Sequence, residues 1–188
     1  MTRVAIVYHS GYGHTARQAE AVHAGAASVP GVEAKLMSVE DMNDAFWAEL
    51  AAADAIVFGA PTYMGGASAK FKEFADASSK PWFTMAWKDK IAGGFTNSGS
   101  LNGDKYSTLM YFVTLAMQHG MIWVGTGMPP ANTSKAQRND LNRMGSFIGA
   151  MAQSDVDVGP DLAPPQGDLD TAREYGRRIA QMARARVR

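Results

Sequence analysis

Residues Val4 to Thr15 read Val-Ala-Ile-Val-Tyr-His-Ser-Gly-Tyr-Gly-His-Thr. The first five, Val4–Tyr8, are a compact apolar and β-branched run, which predicts a buried strand. The glycine-containing polar stretch after them predicts a turn. Residues 16–26 then repeat small apolar side chains every three or four positions, which predicts a helix. The chain therefore opens as a strand, a polar turn and a helix.

The same unit repeats along the chain. Apolar runs predict four further strands, at Val32–Val39, Ala55–Ala60, Ile91–Phe95 and Met121–Val124. Helical spacing predicts the other helices over 41–53, 71–78, 109–117 and 172–183. Strands that alternate with helices form a parallel sheet covered on both faces. The predicted fold class is α/β, a three-layer sandwich around a five-stranded parallel sheet in the order 2-1-3-4-5. Its ligand crevice is expected where strands 1 and 3 end.

The length predicts one domain. At roughly 150 residues per domain, the 188 residues form a single unit, 1–188, with an irregular insertion at about 126–167 before the C-terminal helix. The insertion is rich in Gly, Pro, Asn and Ser, and only residues 135–152 within it have a helical pattern. A connection this long inside a compact domain is usually functional or mobile.

Composition argues against several classes of protein. The 18 basic residues balance the 18 acidic ones, which disfavours a nucleic-acid-binding domain and a strongly acidic electron carrier. Cysteine is absent, so disulfides, thiolate nucleophiles and Cys-ligated metals are excluded, and no His, Asp or Glu spacing predicts another metal site. Because the sequence offers neither a signal peptide nor a membrane span, we expect a cytoplasmic protein with no membrane partner.

The turn after the first strand suits a phosphate. The segment Ser10–Thr15 combines hydroxyls, backbone N–H groups and a helix N-terminus, without a Lys or Arg. A P-loop is excluded because the Gly-Lys-Ser/Thr ending is missing. Gly11, Gly13 and Ala16 satisfy a Gly-x-Gly-x-x-Ala dinucleotide pattern, but the acidic residue expected about 20 positions later is absent. The alternative interpretation is a capped turn that holds no ligand.

Two more loops follow the third and fourth predicted strands, so they lie at the same edge of the sheet. The second loop, Pro61–Ser68, joins a Pro-Thr turn and an aromatic residue to glycines that let the backbone approach a flat ligand. The third, Thr96–Gly103, offers N–H, hydroxyl and amide groups to the polar edge of a heteroaromatic ring. A phosphate, a planar ring and a polar ring edge together predict a mononucleotide with a large aromatic head, most simply FMN.

Four motifs resemble those of the WrbA-type NAD(P)H:quinone oxidoreductases, in the flavodoxin-like superfamily. They are Ser10–Thr15, Pro61–Gly65, Thr96–Gly99 and Gln118–Met121. The resemblance covers roughly residues 1–125 and the closing helix. It implies a flavodoxin-like fold and an FMN-dependent, two-electron (ping-pong) reduction of quinones by NAD(P)H. It also implies a homo-oligomer, either a dimer or a tetramer.

The resemblance implies a role for each matched residue. It assigns to the FMN phosphate and ribityl chain Ser10, Gly11, Tyr12, Gly13, His14 and Thr15. It places beside the isoalloxazine ring Pro61, Thr62 and Tyr63, and at its pyrimidine edge Thr96, Asn97, Ser98, Gly99, Ser100 and Leu101. Met64 and Gly65, in the same motif as Pro61, are also expected to bind the cofactor. His119 is implied to lie beside the ring. We expect it to be the catalytic residue, bonded to a flavin or quinone oxygen. Tyr12 is implied to contact the nicotinamide nucleotide, and Trp82 to border the quinone. One departure is that Tyr63 stands where the family commonly has a basic residue.

Three other functions stay open on the sequence: an NAD(P)H-dependent FMN or azo reductase, a flavodoxin-type electron carrier, and an interaction module without flavin. His119 also has a competing role as a residue that caps carbonyls at a helix C-terminus. The apolar stretch Pro81–Trp87 fits a subunit interface, a wall for a planar substrate, or core.

Overall fold

The computed structural model describes residues 1–186, and the last two residues of the predicted domain, 187 and 188, lie outside this range. The strands are β1 (Thr2–Tyr8), β2 (Val32–Ser38), β3 (Ala55–Tyr63), β4 (Gly66–Ala67), β5 (Ile91–Ser98), β6 (Ile122–Trp123) and β7 (Ala150–Gln153). The α-helices are α1 (His14–Ala27), α2 (Asp44–Ala52), α3 (Ala69–Ala77), α4 (Ser79–Phe83), α5 (Lys105–Gln118) and α6 (Gln166–Arg186). None of these helices is both long enough and apolar enough to span a membrane.

The parallel sheet has the order β2-β1-β3-β5-β6. This is the predicted order 2-1-3-4-5, because β4 is a two-residue strand that only forms a hairpin with the end of β3. Side chains of α1 and α6 pack on one face of the sheet, and those of α2, α3 and α5 pack on the other. The predicted α/β three-layer sandwich is confirmed.

Two glycines let α1 and α6 approach each other closely. A Cβ atom on Gly25 of α1 would lie 1.8 Å from the carbonyl oxygen of Arg173, and one on Gly176 of α6 would lie 2.0 Å from that of Val22. The backbone of each helix thus packs directly against the glycine of the other helix. At the carboxyl edge of the sheet, α1 begins after the first loop and α6 begins after the insertion. The close contact therefore holds together the two helices that start at this edge.

The third strand is longer than the sequence predicted. The apolar run predicts a strand over Ala55–Ala60, but β3 continues through Pro61 to Tyr63. The Gly59 carbonyl accepts a bond from His9 N–H on the β1 side, and alternate residues of a strand face the same side. The backbone of Pro61 therefore faces the space beyond the end of β1. Because no strand lies there, the N–H group that proline lacks is not needed for a bond in the sheet.

The last predicted strand is split in two. Instead of one strand over Met121–Val124, β6 pairs only with Ile91 and Ala92 of β5. β7 pairs with the carboxyl half of β5, from Phe95 to Ser98. The fourth predicted strand, Ile91–Phe95, accordingly extends to Ser98. The insertion thus leaves the sheet after β6 and returns to it as β7, on the same side of β5.

The helical pattern over residues 135–152 was misleading, because this segment forms turns followed by β7. Asn142 explains part of the difference, since its side chain accepts a bond from Ser146 N–H while its own N–H donates to Thr171 Oγ1. Such bonds to side chains compete with a helical ladder. The open edge of β5 also offers unpaired backbone groups that residues 150–153 satisfy.

A buried carboxylate anchors the insertion. Asp168, in the first turn of α6, is 1% exposed and accepts two bonds of 2.7 Å from the guanidinium of Arg138. It also accepts a bond of 2.9 Å from Gln153 N–H at the end of β7. One side chain thus ties the insertion and the edge strand to the last helix.

Gly176→Ala should destabilise the fold, because the added methyl group would collide with the Val22 carbonyl of α1. We expect a loss of at least about 1–3 kcal/mol, the usual cost of overpacking. Urea unfolding followed by circular dichroism measures it. Gly66→Ala is the control, since a Cβ there would meet no atom within 4 Å outside Gly66 and its two chain neighbours. Equal stability of the two variants would contradict close helix packing as the reason for Gly176.

Asp168→Asn should loosen the insertion without unfolding the sheet. The amide keeps the shape but removes the charge that Arg138 pairs with, which should cost about 1.5–3 kcal/mol. We expect a lower melting temperature and faster proteolytic cleavage within residues 126–165. Asp170→Asn, which changes a partly exposed acid of the same helix, should leave both unchanged. Equal cleavage rates in the two variants would show that Asp168 is not the anchor.

Candidate functional site

A large cavity lies at the carboxyl edge of the sheet. Its volume is about 690 Å³, within the range of roughly 300–1,000 Å³ typical of small-molecule pockets. Its lining residues are Tyr12, His14, Thr15, Pro61, Thr62, Tyr63, Asn97, Ser98, Gly99, Ser154, Val156, Val158 and Gly159. We call this cavity the main pocket. All three predicted loops contribute to it, and none of its lining residues is an acid, a Lys or an Arg.

The first loop presents backbone donors at the start of α1. Gly13 adopts a left-handed φ of 89°, and Ser10 Oγ accepts bonds of 3.1 Å from the N–H groups of Gly13 and Ala16. The N–H groups of His14 and Thr15 precede the first intrahelical bond, which Arg17 N–H donates to Gly13 O. They remain available at the positive end of the helix dipole. This geometry suits an anion held by neutral donors.

The second loop places an aromatic pair at the mouth of the main pocket. The rings of Tyr12 and Tyr63 meet edge to face, with centroids 6.4 Å apart. Desolvation, followed by the proximity of Tyr12, raises the pKa of the Tyr63 phenol, so this hydroxyl stays protonated at neutral pH. Beside the pair, Met64 is fully exposed with a left-handed φ of 48°.

The third loop begins inside β5, so its first residues are held rigidly. Asn97 lines the main pocket, and its Oδ1 accepts a bond of 3.0 Å from Ser154 Oγ. The amide donors of Asn97 are therefore left for a ligand. Behind it, the buried Thr62 hydroxyl bonds to those of Thr96 and Thr108, at 2.8 and 2.7 Å. These bonds fix the ends of β3 and β5 to each other and to α5.

A fourth wall comes from the insertion, which the sequence analysis did not assign to the site. Residues 154–160, here called the strap, cross the edge of the main pocket. The Nε2–H of His14 donates to the Val158 carbonyl at 2.9 Å. A Cβ on Gly13 would meet Pro160 at 2.8 Å, and a Cβ on Gly99 would meet Val156 at 2.6 Å. Two of the predicted loop glycines thus make room for the strap. The signal available in the sequence was only the length and glycine content of the insertion.

His119 lies in a different part of the molecule. Its Nε2–H donates to Ser78 Oγ at 2.9 Å, and its ring packs on Trp87 with centroids 4.2 Å apart. Burial lowers its pKa to about 4, so the imidazole is neutral at pH 7. Its Nδ1 is buried without a hydrogen-bond partner. His119 is the C-cap residue of α5, as the alternative role requires, but its ring bonds to the Ser78 hydroxyl and not to a carbonyl.

His119 and Trp82 share a second cavity of about 210 Å³, none of whose lining residues belongs to the main pocket. The separation follows from the topology. Lys105 begins α5 beside the third loop and His119 follows its last residue, so 14 residues of helix, about 21 Å at 1.5 Å per residue, lie between them. Within one chain, the structure therefore does not bring His119 or Trp82 to the main pocket.

The structure does bring together most of the other predicted site residues. Nine of them line the main pocket: Tyr12, His14, Thr15, Pro61, Thr62, Tyr63, Asn97, Ser98 and Gly99. Others belong to the same loops without lining it, namely Ser10, Gly11, Gly13, Met64, Gly65, Thr96, Ser100 and Leu101. Their roles at a bound flavin remain predictions.

Comparison with known proteins identifies the family to which this chain belongs. A family model described as NADPH-dependent FMN reductase matches residues 12–135. A protein of Pseudomonas aeruginosa named Flavodoxin FldP is 46% identical over 97% of this chain and 97% of its own. A protein of Geobacter sulfurreducens named NAD(P)H dehydrogenase (quinone) is 36% identical, over 96% and 97% of the two chains.

A solved structure gives the same result for the fold. The crystal structure of a flavodoxin, WrbA-like protein from Agrobacterium tumefaciens is 48% identical, covers 98% of this chain and 99% of its own, and superposes with a TM-score of 0.78. The predicted resemblance to WrbA-type proteins is confirmed. The chain belongs to the NADPH-dependent FMN reductase family and has the flavodoxin-like fold.

Proposed function

We propose that this protein binds FMN in the main pocket and uses it to transfer two electrons from NAD(P)H to a quinone. The observation that carries the proposal is the convergence of three polar, uncharged loops and the strap on one cavity of about 690 Å³. Relatives named NAD(P)H dehydrogenase (quinone), at 33–36% identity, support the reaction.

The lining residues fit FMN. The N–H groups of His14 and Thr15 would hold its phosphate at the start of α1. Pro61 and Tyr63 would flank the ring system, and the amide of Asn97 would meet its pyrimidine edge. Bound there, FMN would supply the hydride chemistry, and the protein would supply position and electrostatics.

The exposed side chains at the mouth suit planar reactants. Tyr12 and Met64 stand free at the rim, next to the partly exposed Tyr63. A nicotinamide ring and a quinone would occupy this place in turn, which corresponds to a ping-pong cycle. The aromatic pair would order either ring by stacking, and the protonated Tyr63 phenol would leave charge selection to other groups.

Saturable quenching of FMN fluorescence on addition of the protein is the first expected result. Anaerobic NADH or NADPH should then bleach the bound flavin, because hydride transfer removes its visible absorbance. A quinone should restore the colour. Spectrophotometry in an anaerobic cuvette measures each step, with free FMN at the same concentration as the control.

Other outcomes would replace the proposal. Absence of saturable FMN binding would overturn it, and rapid reoxidation by azo dyes but not by quinones would favour an FMN or azo reductase. An electron carrier is the second candidate, because one relative is named a flavodoxin. Its signature would be two resolved one-electron steps in a reductive titration, with no direct bleaching by NAD(P)H.

We further propose that the protein works as a homo-oligomer, a dimer or a tetramer, in which His119 and Trp82 of one protomer complete the main pocket of another. Two observations support this. Both residues lie at the amino edge of the sheet, away from the pocket of their own chain. Beside them, α4 and the turn after it expose Phe83 and Met85, so an apolar surface continues from the second cavity.

Phe83→Asp should weaken such an assembly, because it places a charge in the centre of this apolar surface. We expect a lower mass by size-exclusion chromatography with light scattering, and at least about tenfold slower quinone reduction. FMN affinity should be unchanged. Met182→Asp, on α6 at the opposite face of the sheet, is the matched control. A monomeric wild type with full quinone turnover would refute the assembly.

A further inference from the structure

Lys105 is a buried ionisable side chain that the proposed function does not yet use. It is the first residue of α5 and is completely buried. Its Nζ donates bonds of 2.7 Å to Ser98 Oγ and 2.6 Å to the Ser100 carbonyl. Ser98 itself lines the main pocket. The ammonium group therefore lies one hydrogen bond behind the wall at which the pyrimidine edge of a flavin is expected.

The local backbone is shaped to bring this ammonium under the loop. Gly103 and Asp104, just before Lys105, both have left-handed φ angles, 54° and 52°. A Cβ on Gly103 would lie 2.1 Å from Ser98 Oγ, so glycine is required for the serine to reach the ammonium. Glycine adopts this conformation readily, but the non-glycine Asp104 does so at a cost, and such strain is concentrated at functional positions.

Burying the charge is also costly. Desolvation lowers the pKa of Lys105 to about 8, and a neutral donor would hold the same loop with a smaller desolvation penalty. Two charged groups are coupled to it, Asp168 of α6 and Arg138 of the insertion. Because Asp168 is already paired with Arg138, these three side chains carry one net positive charge. The main pocket in front of them has no Lys or Arg lining it.

We propose that Lys105 is a positioning residue that holds the third loop and also supplies the positive charge that favours the reduced form of the bound flavin. The proposal rests on the proposed function. A hydride brings two electrons and one proton, so a flavin that accepts it gains one negative charge, which is shared by the pyrimidine ring. A fixed cation behind Ser98 stabilises that charge more than it stabilises the neutral oxidised ring.

Lys105→Gln separates the charge from the hydrogen bond, because the amide can still donate to Ser98 or Ser100. We expect FMN to bind this variant within about threefold of wild type. The midpoint potential of the bound flavin should become more negative, by about tenfold in the two-electron equilibrium or about 30 mV. Dye-coupled anaerobic titration measures it. Lys88→Gln, an exposed lysine at the amino edge of the sheet, should leave the potential unchanged.

Titration with pH provides a second measurement on the unmodified protein. Above about pH 8 the oxidised protein loses the Lys105 proton, and reduction then recovers it. The midpoint potential should therefore fall more steeply with pH above 8 in wild type than in Lys105→Gln. The pH comparison also tests whether the charge of Lys105 acts on the flavin if Lys105→Gln binds FMN but differs from wild type in stability.

The outcomes separate this inference from the proposed function. If wild type binds no FMN, the proposed function fails and the inference fails with it. If wild type binds FMN, but both its potential and its pH profile match those of Lys105→Gln, only the electrostatic role is overturned. Lys105→Met, which loses the hydrogen bonds too, should bind FMN at least about tenfold more weakly, and unchanged binding would overturn the positioning role.

Discussion

The main pocket depends on unequal strand lengths in a parallel sheet. β1 ends at Tyr8, opposite Gly59, whereas β3 continues four residues further to Tyr63, about 13 Å at 3.3 Å per residue, and β5 runs beside it to Ser98. This step in the sheet edge forms the floor of the cavity. Pro61 suits the step because its position faces no strand on the β1 side and needs no N–H partner there.

The cavity lining is uncharged, and the charges lie behind it. Hydroxyls, amides and helix-terminal N–H groups line the cavity beside apolar side chains such as Val156 and Val158, while Lys105, Asp168 and Arg138 lie in the layer beneath the third loop and the strap. A charge at that depth is poorly screened by water, so it acts on a ligand over a longer range than a surface cation would. Asp168 also anchors the insertion, so one side chain contributes both to the shape of the pocket and to the charge behind it.

The two edges of the sheet carry different sets of the predicted site residues. The carboxyl edge collects the loops, the strap and the aromatic pair, and the amino edge carries His119 and Trp82 in a smaller cavity. A helix of α5's length separates the two edges, so one chain cannot join them. A protein that uses both sets of residues on one substrate therefore has to assemble, and the exposed apolar surface around Phe83 is in the right place for that.

The fold class, the strand order and the three loops could be predicted from the sequence, because hydrophobic period and glycine placement are local properties and parallel strands end at a common edge. Tertiary structure alone decided the split edge strand, the extension of β3 through Pro61 and the strap, because each depends on which backbone groups are left unpaired in the assembled sheet. It also decided the location of His119. The motif was visible in the sequence, but the direction in which α5 carries it away from the pocket follows only from the packed arrangement of helix and sheet.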